Sequence, residues 1–345
     1  MLVRAIMGMG EGVMFPTLHG FAADWFPQQE RSLLVSIIAS GSDLGTMLSL
    51  VISPSIMEHI SWQAVFLVFG LFSLIWLVIF ATVASNTPET SSSISSTERH
   101  YILCHRSSST RKSPNVAYLE LLRHTSLWAI YASHAAFNYG WYVLLCWIPQ
   151  YLSNELHMKL SDHPFLAAMP YAFGFIGLLS SGYLSDVVIN KGICTRLQTR
   201  RMMNSIGLFG PAGFLYLLRY ATTSHTALAL LSLALFTGRM STSGYWVNMI
   251  DVGGDKAGQV MGTSNTIATL PGIFGNLITG YILQETKSWN TVFEVTSIVM
   301  GVGGIIFLLG SSDKPIGFMN KKGTMFKRTT SLEDPNDESS PFLNR

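Results

Sequence analysis

Apolar residues in this chain come in long blocks rather than at helical or strand periods. Nine blocks, near 1–25, 33–56, 63–84, 127–152, 165–188, 203–220, 227–249, 260–283 and 291–309, are each long enough to cross about 30 Å of hydrocarbon as a helix. Such repetition predicts an all-α polytopic membrane protein, because a soluble core helix needs only one apolar face. Gly, Pro, Ser and Thr recur inside the blocks, as in TLPGIFGNLITGYIL, which suits helices that pack closely and slide.

Two segments break the pattern. Residues 85–124 contain SSSISSTERHYILCHRSSSTRKSPN, rich in Ser and basic groups, and are expected to form a linker; residues 311–345 are polar, basic first and acidic later, and are expected to be a disordered tail. This divides the chain into 1–84, the linker, 125–310 and the tail. Arg31, the basic residues of the linker, Lys191, Arg196, Arg200, Arg201, Lys256 and the tail fall on one side of the alternating blocks. Only Lys159, Arg219 and Lys287 fall on the other. The positive-inside rule then places the linker and the C-terminus in the cytosol.

Composition narrows the function classes. Of 345 residues, 48% are hydrophobic and 12% charged, too few charges to clothe a soluble protein of this size. A net charge of +2 with scattered basic residues gives no reason to expect a nucleic-acid partner. Cys104, Cys146 and Cys194 have neither disulfide-framework nor zinc-ligand spacing. No cofactor motif, metal pair or convergent nucleophile and base is legible, so an enzyme is not expected.

Charges inside spans are the candidate chemistry, since each costs about 2.5–3.5 kcal/mol on insertion scales and so faces a partner or a wet cavity. Arg4 and Glu11 are seven residues apart, which puts them on one helix face about 10 Å apart along the axis. A guanidinium there can grip a carboxylate or phosphate, and a desolvated carboxylate can load and release a proton; alternatively each neutralises another buried group. His19 is either a proton relay or a hydrogen-bonded packing residue. Asp43, in the middle of IIASGSDLGTMLSLVI, needs protonation, a counter-charge such as Arg4, a sodium ion or a capping contact. Arg239 is also placed inside a span and has no partner that the sequence names. Asn138, Trp141 and Tyr142 share a helix face that could floor a cavity or simply pack, and Asn248 and Asn265 are weaker candidates of the same kind.

The segment RAIMGMGEGVMFPTLHGFAADWFPQQERS resembles the fourth helix and following loop of the anion/cation symporter family of the major facilitators. Arg4, Gly8, Glu11, Gly12, Pro16, Trp25, Pro27, Glu30, Arg31 and Ser32 carry the likeness. That family includes sialin, the vesicular glutamate transporters and the plant plastid and Golgi phosphate transporters. FNYGWYVLLCWIPQYL is similar to its seventh helix, SSGYLSDVVINKG with TRRMMNSIGLFGPAGFL to its eighth-to-ninth connection, and GYWVNMIDVGGDKAGQVMGTSNTIATLPGIFGNLITGYIL to its tenth and eleventh helices. The likeness covers residues 1–312. Gly254 and Asp255 depart from the family's usual Pro and basic residue, and Phe137 stands where the glutamate transporters have Arg, which argues for phosphate or another small anion over glutamate.

The resemblance implies a twelve-helix fold of which about nine helices, the fourth to the twelfth, are present. It implies a carrier that couples a small anion to H⁺ or Na⁺ by alternating access, in an endomembrane or plastid membrane. It assigns substrate to Arg4 and coupling to Glu11. It also makes Asp186, Lys191, Arg200 and Arg201 resemble a facilitator signature loop, read here with Glu30 and Arg31 as gating groups of a short cytosolic connection. A non-transporting or regulatory form of such a carrier is the alternative expectation. The DESSPFL stretch of the tail loosely resembles an acidic di-hydrophobic sorting signal.

Overall fold

A computed structural model describes residues 2–106, 118–156 and 164–316. All regular structure among them is helical. The helices are α1 (Leu2–Glu11), α2 (Met14–Trp25), α3 (Arg31–His59), α4 (Trp62–Val83), α5 (Ser96–His105), α6 (Tyr118–Arg123), α7 (Thr125–Leu156), α8 (Pro164–Asn190), α9 (Arg196–Leu217), α10 (Ser224–Gly238), α11 (Tyr245–Gly253), α12 (Ala257–Thr286) and α13 (Trp289–Gly310). They make nine passes among the described residues, α1 with α2 and α10 with α11 each forming one interrupted pass.

Five stretches are apolar and long enough to cross a membrane by themselves: 31–59, 62–83, 165–190, 224–286, which contains two passes, and 289–310. The helices α7 and α9 fall outside that set; the polar start of α9 lowers its mean hydropathy. In α9 the first residues are Arg196, Gln198, Thr199, Arg200 and Arg201. At the other extreme α4 buries none of its side chains, and its Phe, Leu, Ile and Trp surface points outward, as a lipid-facing helix should.

The spine of the molecule is α7, flanked by α12 and α13; α13 also lies along α9, and α10 packs on α8 and α9. Two seams join α2 and α3 to this group. Along one, α3 packs against α8, where a Cβ on Gly182 would come within 2.8 Å of Ser32 O and 2.7 Å of Leu33 Cα, so only a glycine lets the backbones meet. Along the other, α2 packs against α12, and a Cβ on Gly258 would be 2.8 Å from the carbonyl of Pro16.

Several sequence expectations need correcting. The first span is broken at Gly12 and Val13, and the seventh at a 3-10 turn, Arg239–Ser243. The block expected at 203–220 begins seven residues earlier, because Thr195 and Gln198 form a reciprocal capping box that nucleates helix through the polar stretch. Asp186, Arg200 and Arg201 therefore lie in helices α8 and α9 rather than in the connection, which is only residues 191–195. The linker carries structure of its own: α5, capped by Ser95, lies under the α2–α3 turn, with Gln28 N donating to His105 O and Tyr101 donating to Glu30. Most of the tail, from residue 317 on, is outside the described residues; the six before it dock on α11, with Ile316 N donating to Val252 O.

Candidate functional site

At the end of the bundle where the linker lies, the loop after α2 brings Arg31 to the first turn of α3, and α3 begins without a side-chain cap of its own. Asp186, near the end of α8, supplies one from a distance: its two carboxylate oxygens accept from Ser32 N at 3.2 Å and Leu33 N at 2.7 Å. A carboxylate on the free N–H groups of a helix start meets both the orphan donors and the positive end of the dipole.

Beside this cap sits a buried charge cluster. Asp251, on α11, accepts from Arg31 Nη1 and from Arg200 Nε, both at 2.8 Å, and all three side chains are 1% exposed. The Nη1 of Arg200 donates further to Ser32 Oγ, Ser185 Oγ and the Ser243 carbonyl at 2.8–3.0 Å. With Asp186 counted in, two guanidinium groups and two carboxylates balance. That balance is what makes full burial tolerable, since an uncompensated charge at such depth costs several kcal/mol. The loops reinforce the contact: Asn190 donates to Gln29 O at 2.9 Å, and Arg196 donates to Gln28 Oε1 at 2.9 Å.

The candidates legible in sequence therefore part company. Arg31, Asp186 and Arg200 converge at one place, whereas Glu30, next to Arg31, is exposed and accepts from Tyr101 of the linker. Arg201, next to Arg200, points elsewhere and ties the C-terminal end of α13, donating to Ser311 Oγ at 3.0 Å and Ser311 O at 2.9 Å. Arg4 and Glu11 are both on α1 and exposed, and the structure brings neither against Asp43 or His19. His19 is buried on α2, its Nδ1 3.1 Å from Phe15 O and its ring edge-on to Trp246.

Among the α7 candidates, Asn138 donates to the Ala268 carbonyl at 3.1 Å and Tyr142 packs against Gly272, so these two fasten α7 to α12. Trp141 does something different: its indole lies under the guanidinium of Arg239, 3.9 Å from ring centroid to Cζ. Arg239 in turn pairs with Asp43, so the counter-charge of Asp43 is not Arg4. Asn248 is buried at the linker end and donates to Ser312 O at 2.9 Å. Asn265 is half-buried on α12.

Two residues escaped the sequence reading. Asp251 is the hub of the charge cluster but lies just past the block expected to end at 249. His134, on α7, is buried with Nδ1 2.8 Å from Ser264 Oγ and its ring stacked on Tyr245; no spacing around it signals this. Among the described residues no group of three or more His, Cys, Asp or Glu side chains could hold a metal ion.

Residues 1–276 match the Major Facilitator Superfamily profile. The chain is 33% identical over 310 residues to sialin of Ovis aries, spanning 89% of this chain and 63% of that protein. It is 32% identical over 317 residues to the chloroplastic ascorbate transporter of Arabidopsis thaliana, 92% of this chain and 58% of that one. Over 316 residues it is 30% identical to the chloroplastic sodium-dependent phosphate transport protein 1 of Arabidopsis thaliana, 92% of this chain and 61% of that one. The chain thus spans less than two thirds of the length of these relatives.

Proposed function

This chain belongs to the major facilitator superfamily, in its anion/cation symporter branch, and from that premise we propose that it carries a small anion, phosphate or an organic anion, across a membrane together with H⁺ or Na⁺. The observation that supports this reading best is the Arg31–Asp251–Arg200 cluster with the Asp186 cap. It fastens α3 to α8, α9 and α11 at the linker end, the kind of contact that a gate closed on that side of an alternating-access carrier requires.

In this reading residues 1–84 and 125–310 belong to two rocking halves joined by 85–124, and the linker end faces the cytosol. Glu30, Arg31, Asp186 and Arg200 work the gate, with Arg201 holding α13 in place for it. Arg4, Trp141, Tyr142, Asn138, Asn248 and Asn265 are the substrate-side groups, and Glu11, His19 and Asp43 the ion-coupling ones. Relatives named for phosphate and ascorbate favour a compact anion of that kind. An endomembrane or plastid location fits the same comparison.

The test is uptake of phosphate and of ascorbate by the purified chain in liposomes under an imposed pH or sodium gradient. Gradient-driven uptake that falls on Arg4→Ala supports the proposal. Uptake of both anions no faster than in protein-free liposomes, by a chain that is folded and inserted, refutes it.

A further inference from the structure

About 18 Å above Arg31 along α3, twelve residues on at 1.5 Å each, a second charge pair crosses the same seam. Asp43, fully buried, pairs with Arg239 of the 3-10 turn after α10. Three features set it apart from the cluster at the linker end. The carboxylate is incompletely satisfied: the second oxygen of Asp43 has no hydrogen-bond partner, nor has the Nε of Arg239, whereas both oxygens of Asp251 in the lower cluster accept from an arginine.

The guanidinium is also stacked by its face on Trp141, an arrangement that leaves its N–H edge, where Asp43 now sits, to an oxyanion. And it borders a cavity of about 20 Å³, room for roughly one water, between Phe137, Gly140, Trp141, Leu144 and Met300. Gly174 of α8 leaves the space the pair occupies: a Cβ there would sit 2.9 Å from the free oxygen of Asp43 and 3.7 Å from Arg239 Nε.

We propose that Arg239 is an anion-binding residue for a carboxylate- or phosphate-bearing ligand, and that Asp43 is a built-in stand-in that occupies its guanidinium until the ligand displaces it. The proposal rests on the carrier reading above and adds a residue to it. A part-buried guanidinium that keeps its fork geometry and has an unspent donor is suited to exchange one oxyanion for another. The exchange also has a mechanical result. Asp43 is on α3 and Arg239 beside α8, so displacing the carboxylate removes the only charge bridge described midway along that seam. The released Asp43 then needs a new counter-charge, which the coupling cation supplies.

Binding of inorganic phosphate and of ascorbate to the purified full chain, followed by tryptophan fluorescence and by thermal shift, decides it. Arg239→Gln is expected to weaken binding about 30-fold or more, the lower end of the cost of deleting one side of a buried charge pair. Asp43→Asn, which keeps shape and removes the competitor, is expected to tighten it. The exchanged pair Asp43→Arg with Arg239→Asp restores a bridge of opposite sense and should recover thermal stability without recovering affinity.

A purely structural bridge predicts the reverse: lower stability in both single variants with unchanged affinity, and that result overturns the inference while leaving the carrier reading intact. Equal loss of affinity in Asp43→Asn and Arg239→Gln also overturns it. A folded, unaltered chain that binds neither anion overturns both.

Discussion

The two ends of the bundle use the same pair of groups, arginine and carboxylate, to opposite effect. At the linker end the Arg31–Asp251–Arg200 cluster is dry and joins helices far apart in sequence. At the other end Arg219, between α9 and α10, meets Glu294 of α13 at 2.7 Å, with the two side chains 31% and 41% exposed, and also lies against the rings of Tyr216 and Tyr220. It borders an open depression of about 320 Å³ with Tyr151, Glu155, Lys287 and Asn290. Distances are alike; solvent is not. In water the attraction is screened and each side chain gives up conformational freedom, so the exposed pair holds little, whereas the buried cluster cannot lose a member without stranding a charge. One end is thus built to be fastened and the other to stay wet.

Breaking the buried cluster should show the largest effect. Asp251→Ala leaves Arg31 and Arg200 facing each other without a carboxylate, and a loss of about 3–5 kcal/mol is expected, read as a lowered unfolding midpoint in detergent. Next, Asp186→Ala removes the cap on α3 and one of the two carboxylates that balance Arg31 and Arg200, and is expected to cost about 2–3 kcal/mol, with amide exchange quickened most at residues 31–35. On the exposed side Arg219→Ala is expected to change stability by no more than about 1 kcal/mol, and that small change should vanish in high salt, whereas the Asp251→Ala effect should survive it.

The smallest effect belongs to the linker. The hydrogen bonds from Arg106 hold the Glu89 carboxyl below its ordinary value of 4.5. A group whose value is lowered on folding lends stability above its unfolded value and withdraws it as pH falls through the folded one. Amide protection over residues 85–106 should therefore be flat from pH 7 to pH 5 and fall only below about 4.5. Loss of protection near pH 6 would show that another group governs the segment.

Much of this was legible in the chain because lipid is an undemanding reader. Block length alone located the passes, and the capping box at Thr195 was the kind of local signal that extends one of them. The site was harder. Arg31, Asp186 and Arg200 stood out as charges at span ends, but their meeting point, Asp251, is 220 residues from Arg31 in sequence and carries no local mark. The partner of Asp43 is 196 residues away, and nothing in the spacing of either residue selects the other. The 3-10 turn at 239–243 was harder to place than its flanking Gly238 and Gly244 suggest, because long-range packing also shapes it: a Cβ on Gly207 would be only 2.3 Å from Ser241 N.

The docking of Ile316 onto Val252 has a practical corollary. The peptide that leaves the last pass is stitched through Ile316 to the residue adjoining Asp251, so residues 311–316 are tied to α11 as a lever is tied to its pivot. A fluorescent probe on the exposed Lys314 would report any displacement of α11 and, with it, of the Arg31–Asp251–Arg200 cluster.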